Sequence, residues 1–345
     1  MKKAILSAVI LLIGFAAQAQ LTITESNNGA NLANSLVGTG TNIQNVVLTC
    51  PSTASGSFSG GMSAGLGIGN GLVLSSGMVS AIADSAAAFA SAVFAASGDP
   101  ALDSIVGVST YDACVLEFDV NVAGDTLMID FVFGSEEYPE FECSGFNDIF
   151  AFQLSGPNPA GGSYEHYNIA RLPNGETVGI NTVNSGSGMG CDSNIGYYVD
   201  NTGSIDVVFD GYTVPLTATT PTVAGQTYHM RFAIGDAGDG AFDSAVFLKS
   251  GSLKSAQTAT GIATLGSTAL SSVKPNPTSG ATILENKMDK LIDYAVLNMM
   301  GQTLLKGSVG AGSSLTIDLS VFGTGHYFVR SSSGAVVTTQ RIEVR

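Results

Sequence analysis

The chain has 345 residues, with 28 acidic against 13 basic side chains for a net charge of −15, 43 glycines, four cysteines and no tryptophan. Its length suggests two domains. Its acidity argues against nucleic acid and anionic lipid as partners, because both repel it, and suits divalent cations instead.

The first nineteen residues read as a signal peptide. Lys2 and Lys3 precede an apolar run from Ala4 to Phe15, and Ala17-Gln18-Ala19 has the small-x-small pattern of a cleavage site, so the mature chain is expected to begin at Gln20. That run is shorter than the roughly 20 residues a bilayer span needs. No later stretch reads as an anchor: Ile82 to Ala96 is mostly alanine and serine, interrupted by Asp84.

Residues 20–250 read as an all-β domain. Short runs rich in Val, Ile, Phe and Thr are bounded by Gly, Asn, Asp or Pro, and predict strands at "NVVLTC", "GLVLSSG", "CVLEFDVNV", "DTLMIDFVFG", "DIFAFQLSG", "SIDVVFDG" and "YHMRFAIGD". Leu116, Phe118 and Val120 alternate with Glu117 and Asp119, the pattern of a strand with one buried and one wet face. Regular turn signals between short strands point to a β-sandwich or jelly roll. Helix candidates are limited to "GANLANSLVG" and the alanine-rich 81–96, the second alternatively an Ala/Ser loop.

Between two predicted strands lies "FGSEEYPEFECSGFND", with Glu136, Glu137, Glu140, Glu142 and Asp148 in one short loop. Loops on a rigid scaffold are where sites are built. A second acidic block, "GDAGDGAFDSA", sets Asp236, Asp239 and Asp243 among three glycines. Its spacing is not that of an EF-hand, but hard oxygen donors on an irregular glycine-rich path are what Ca²⁺ uses. The expected metal ligands are Glu136, Glu137, Asn147, Asp148, Asp236, Asp239 and Asp243, the two blocks meeting around one or more Ca²⁺ ions. Two other readings stand beside it: solvated turns whose aspartates cap backbone N–H groups, and a glycosidase pair of Glu136 or Glu137 with Asp148. Against the second, no tryptophan offers a sugar platform, and Tyr138, Phe141, Tyr197 and Tyr198 are weak substitutes.

No catalytic set is assigned. Gly61-Met62-Ser63-Ala64-Gly65 satisfies G-x-S-x-G, yet no helix is predicted after it. His166, His229 and His326 are scattered without a ligand-like neighbour. In an exported chain, Cys50, Cys114, Cys143 and Cys191 imply two disulfides, with three pairings possible. Pairing by neighbourhood favours Cys50–Cys114 and Cys143–Cys191, which would fix the acidic loop to "NSGSGMGCDSN".

Residues 251–273 are small, polar and unpatterned, as linkers are. Residues 21–273 carry 23 acidic and 4 basic side chains, whereas 274–345 carry 5 acidic and 7 basic. Residues 274–345 read as a small Ig-like β-sandwich. Lys274-Pro275-Asn276-Pro277-Thr278-Ser279-Gly280, Ala295-Val296-Leu297-Asn298, Met299-Met300-Gly301-Gln302, Ile317-Asp318-Leu319-Ser320 and Gly325-His326-Tyr327-Phe328-Val329 resemble the type A C-terminal sorting domain of type IX secretion substrates. One departure is Lys274, where that family more often has an aromatic. The resemblance implies engagement of the type IX machinery through 274–345, cleavage near the linker, and release or attachment at the outer-membrane surface.

The larger domain has a relative of its own. "GSEEYPEF", "YNIARLP", "VGINTVN" and "AIGDAGDGAFDSAVFL" resemble the choice-of-anchor L domain over roughly residues 30–252. This resemblance implies family membership and no particular activity. The expected function is that of a secreted or surface-held, calcium-stabilised binding or adhesion module with a glycan or surface protein as ligand. The alternatives are a carbohydrate-active hydrolase and a self-assembling matrix component.

Overall fold

Leu116, Phe118 and Val120 are buried while Glu117 and Asp119 stay partly exposed, the two-residue period of a strand with one covered face. A computed structural model describes residues 20–188, 190–191, 194–257, 270–299, 301–334 and 336–345. The signal peptide assigned to residues 1–19 lies outside the described residues. The chain divides into two units, 1–258 and 259–345.

The strands of the first unit are, in order, β1 (Thr22–Glu25), β2 (Thr41–Thr49), β3 (Ser55–Ser59), β4 (Gly71–Ser75), β5 (Thr110–Val122), β6 (Thr126–Ser135) and β7 (Ile149–Pro157). They continue with β8 (Ser163–Asn168), β9 (Tyr198–Asp200), β10 (Gly211–Thr213), β11 (Leu216–Pro221), β12 (Thr227–Ala237), β13 (Ser244–Lys249) and β14 (Lys254–Ala256). One sheet runs β1-β3-β4-β13-β6-β10-β9, with β11 and β14 also on β6; the other runs β2-β5-β12-β7-β8. Leu127, Ile129, Phe131 and Phe133 of the first sheet meet Phe118, Phe150, Phe152 and Phe232 of the second in one core. Each such ring is worth about 1.5–3 kcal/mol when fully buried.

The first sheet is covered on both faces. Val73, Val132 and Phe247 point away from the sandwich core and pack with Leu66, Ile68, Val207 and Phe209 of the surrounding loops. This explains why β4 is buried at every position, the pattern of a doubly covered strand. The outer face of the second sheet is capped at Val115, Ile149 and Ala233 by a helix through Leu102.

The expected helix at 29–36 forms as α1 (Gly29–Leu36), with the Asn28 side chain accepting from Asn31 N–H at its start. The helix over Leu102, α2 (Pro100–Val106), was not expected. Its signals are Asp99 accepting from the N–H groups of Ala101 and Leu102, Pro100 in the first turn, and Gly107 in the left-handed region at the end. "SIDVVFDG" is not a strand before Gly211: the Asn201 amide donates to Val207 O and Phe209 O and holds this stretch as an irregular loop. The linker expected at 251–273 is narrower, because Lys254–Ala256 pairs with β6.

The second unit contains β15 (Ser271–Lys274), β16 (Ala281–Asn286), β17 (Ile292–Leu297), β18 (Thr303–Val309), β19 (Ser314–Asp318), β20 (Gly325–Ser333) and β21 (Val336–Val344). Sheets β15-β16-β19 and β18-β17-β20-β21 enclose Leu284, Val296, Leu319, Tyr327, Val329 and Ile342 as an Ig-like sandwich. No described helix is long and apolar enough to cross a membrane.

Candidate functional site

Strands β6 and β13 pair at Ser135 and Ser244, so the acidic turn leaving β6 and the acidic turn entering β13 start side by side. The Ser135 and Ser244 hydroxyls lie 2.8 Å apart, and Ser244 donates to Asp148 Oδ2 at 2.7 Å. Ala237 N–H donates to Asp148 Oδ1 at 2.9 Å, and Glu136 N–H to Asp243 O at 3.1 Å. The two blocks are therefore brought together at one end of the sandwich.

Five of the expected site residues are enclosed: Glu136, Glu137, Asp148, Asp236 and Asp243 are each at most 4% exposed. Their hydrogen bonding sorts them into two kinds. Asp148 is engaged through both oxygens as above, and both oxygens of Asp243 accept from Ala92 N–H at 3.0 and 3.1 Å. By contrast, both oxygens of Glu136, Oε2 of Glu137 and both oxygens of Asp236 are buried with no hydrogen-bond partner among the described residues. Ser76 lies near Asp236, but its hydroxyl is placed to bond Ser244 O and the Ser244 N–H. None of the ion pairs among the described residues involves this group.

Unpaired burial disfavours the charged forms. Desolvation pushes Glu136 up to about 8, with Asp210 adding repulsion, the nearby Ala90 backbone easing it and Asp243 raising it further. Desolvation pushes Glu137 up to about 9, with Asp148 and Asp239 acting in the same direction. Asp148 rises to about 7 and Asp243 to about 6, again mainly through burial, each eased by its hydrogen bonds. Asp236 is raised well above the usual carboxylate range by burial first and Asp148 second. The acids thus form one repelling cluster, each of Glu136, Glu137, Asp148 and Asp236 raised in part by the charge of another member.

The other two expected ligands sit differently. Asn147 Oδ1 already accepts from Asn181 N–H at 2.9 Å. Asp239 is exposed and caps its own turn through Ala241 N–H at 3.1 Å. With exposed Glu140 and half-buried Asp210 it lies at the outer rim. Glu142 holds the neighbouring loop by accepting from the N–H and hydroxyl of Ser185 at 2.7 and 2.6 Å. The disulfide Cys143–Cys191 fixes the same loop, and Cys50–Cys114 links β5 to the end of β2, so both neighbourhood pairings form.

Two parts of the site escaped the sequence reading. The alanine-rich 81–96 is the loop of the two alternatives, apart from the 3-10 turn Val79–Ile82 at its start: residues 87–98 face alternately outward and inward as an irregular strap, with Ala95 in the left-handed region. Its inward N–H groups end on carboxylates, Ala92 on Asp243, Phe94 on Asp112 Oδ2 at 2.9 Å and Ala96 on Asp112 Oδ1 at 2.6 Å. Asp112 reaches the strap from a bulge, where it and Ala113 stand opposite the single Gly235, and it adopts φ +49°. Gly77 is the second: a Cβ there would fall 1.7 Å from Asp243 Oδ2, so only glycine lets the chain pass.

Among the described residues, no three His, Cys, Asp or Glu side chains form a ready-made metal cage. What the cluster offers is hard oxygen, five atoms of it without a hydrogen-bond partner among the described residues. Tyr138 is fully buried, so it cannot be a sugar platform. Gly61–Gly65 sits in turns between β3 and β4 with no helix after it, so it lacks the strand–turn–helix elbow that a nucleophilic serine requires.

A disulfide-stapled β-sandwich with an acidic end, followed in the chain by a separate small sandwich, defines a passenger-and-tail protein. Residues 21–254 match the family described as choice-of-anchor L domain, and the chain belongs to that family. Residues 272–345 match the secretion system C-terminal sorting domain. The tail marks the protein as a type IX secretion substrate, exported and then secreted or attached at the outer-membrane surface. No curated protein matches the chain. Among solved structures, a "Biofilm associated protein - BSP domain" aligns at 7% identity and TM-score 0.20, over 69% of this chain and 49% of that one. The β-glucuronidase of Ruminococcus gnavus aligns at 9% identity and TM-score 0.17, over 68% and 36%. The chain thus spans about half and about a third of their lengths, and at these TM-scores neither likeness carries an argument.

Proposed function

We propose that the protein is an exported binding module whose passenger domain is stabilised by Ca²⁺ at the acidic end of the sandwich. The observation that carries the calcium reading is the set of unpaired, buried oxygens on Glu136, Glu137 and Asp236. A buried carboxylate without a partner must either keep a proton or gain a cation. Calcium takes six to eight oxygens from carboxylates, carbonyls, amides and water. Glu136, Glu137 and Asp236 would each supply oxygen to one or more ions, completed by carbonyls and water, while Asp148 and Asp243 keep the turns in place through their N–H and hydroxyl partners. The ion would supply positive charge and nothing else.

A binding role rests on export by the tail and on a rigid sandwich. The hydrolase alternative is the weaker reading, because Asp148 is fully enclosed with both oxygens engaged and offers none to a sugar. Thermal melting in millimolar Ca²⁺ and in EDTA tests the calcium reading: the midpoint should rise by several degrees with Ca²⁺, and an unmoved midpoint would remove it. Light scattering of the same samples separates a monomeric binder from a self-assembling matrix component.

A further inference from the structure

Four phenylalanines at the acidic end of the sandwich join none of its buried core clusters: Phe89, Phe141, Phe146 and Phe242. Their rings follow one another as a ladder. Between centroids, Phe89 lies 6.4 Å from Phe242, Phe242 5.5 Å from Phe141, and Phe141 5.3 Å from Phe146. Phe89 is 77% exposed and the other three are half-buried. We infer that this ladder is a docking surface for a basic segment of a partner protein, one that sets an arginine or lysine beside an apolar side chain.

A contiguous apolar patch rimmed by polar groups marks an interaction surface, and this one is held in place before any partner arrives. Asp243 N–H donates to Ala90 O at 2.7 Å and Phe242 N–H to the Ser91 hydroxyl at 3.2 Å, so the strap and the turn entering β13 set Phe89 and Phe242 across one seam. Phe141 N–H donates to Glu137 O at 3.0 Å and Phe146 N–H to the Ser144 hydroxyl at 3.0 Å, in the loop that Cys143–Cys191 fixes. Groups held in this way lose little freedom on binding. Phe242 also adopts φ +61°, a conformation that a bulky side chain rarely takes and that costs stability. The chain keeps this strained residue where its ring enters the ladder rather than a core.

Charge selects the partner class. Glu140 precedes Phe141 in the chain, is exposed, and lies near enough to Asp210 to raise it further after burial has done so. On the other side Gly238 lies against the Phe146 ring, where an added Cβ would come within 3.2 Å, and Asp239 follows it. None of these three carboxylates joins an ion pair among the described residues. Residues 21–273 carry 23 acidic and 4 basic side chains, so the field around the ladder draws cationic segments and repels acidic ones. Arginine suits both parts of the surface, since its guanidinium rests on an aromatic face and pairs with a carboxylate. This surface deepens the binding-module reading and rests on it, but it uses none of the oxygens proposed for calcium.

The test is fluorescence anisotropy of short synthetic peptides of alternating Arg-Leu, Arg-Ser and Glu-Leu sequence, titrated with the full mature chain. The Arg-Leu peptide should bind, Arg-Ser about tenfold more weakly, and Glu-Leu not at all. Phe89→Ala and Phe242→Asn should each weaken Arg-Leu binding about tenfold. Neither should lower the melting midpoint, because Phe89 lies outside the cores and asparagine tolerates a positive φ. Glu140→Lys should weaken the same binding severalfold. No binding of Arg-Leu at millimolar concentration, or equal binding of Arg-Ser, overturns the surface. Binding unaltered in both phenylalanine variants overturns it too, and leaves a binding module whose site is elsewhere. Capture of phosphatidylcholine vesicles through Phe89, with the peptides idle, overturns it in favour of a lipid surface. The same samples melted with Ca²⁺ and with EDTA read the metal proposal separately, so Phe89-dependent binding without a calcium shift sinks only the latter.

Discussion

Asp148 accepts a 2.7 Å hydrogen bond from the Ser244 hydroxyl and so joins two turns that lie 96 residues apart in the chain. Its other oxygen takes Ala237 N–H. An amide in its place would turn one acceptor into a donor facing a donor. Asp148→Asn should therefore cost about 2–3 kcal/mol in urea unfolding, and Ser244→Ala about 1 kcal/mol.

Glu137 and Asp236 should behave in the opposite way without metal. Glu137→Gln and Asp236→Asn each remove a buried carboxylate that lacks a partner, so in EDTA at pH 8 both should raise the melting midpoint or leave it level. In millimolar Ca²⁺ the same variants should melt below the parent, because the ion loses a donor. A parallel fall under both conditions would show these residues to be structural alone.

The pH dependence follows from the raised acids. Glu136 and Glu137 titrate near 4.5 when unfolded but at about 8 and about 9 when folded. The folded chain thus holds protons that the unfolded chain has lost. Their contribution is fully present below pH 4.5 and is lost as pH rises through 8 to 9. Metal-free protein should unfold at progressively lower urea between pH 5 and 9, while Ca²⁺ should flatten that slope. Calcium binding should also release protons, read as a buffer-dependent heat in calorimetry.

Gly77→Ala tests the close approach to Asp243. The added methyl would displace the carboxylate from Ala92 N–H, at a cost of about 1–3 kcal/mol. Limited proteolysis should then cut within 87–98 faster than in the parent.

Removing Cys143–Cys191 by Cys143→Ser with Cys191→Ser opens a loop of 48 residues. In the chain-entropy model this costs about 4 kcal/mol. Glu142 still holds Ser185, so the double variant should fold, with a lower urea midpoint.

Strands with a clean two-residue period, such as that of Leu116, Phe118 and Val120, were legible because burial alternates along them. So was the meeting of the two acidic turns, since each lies where a predicted strand ends. The strap was not: alanine and serine carry too little contrast in polarity to show which side faces in. "SIDVVFDG" misled because Val207, Val208 and Phe209 are buried against the outer face of a sheet without joining it. Asp112 is isolated in the sequence and reaches the site only through a bulge, and a bulge leaves no periodic trace. Asp99 and Pro100 did announce a helix start, but seven residues are too few to display a helical stripe.

The strap at 87–98 is fastened through its main chain, with Asp112 and Asp243 gripping N–H groups that every residue except proline possesses. Its outward side chains, Phe89 at 77% exposure and Val93 at 67%, take no part in that grip. Side chains add to that attachment elsewhere: Ala90 is buried in one core cluster, Phe94 packs on the other, and the Ser91 hydroxyl accepts from Phe242 N–H. Val93 is the outward position that the path leaves free, a natural place to attach a label to an exported protein without disturbing the main-chain grip.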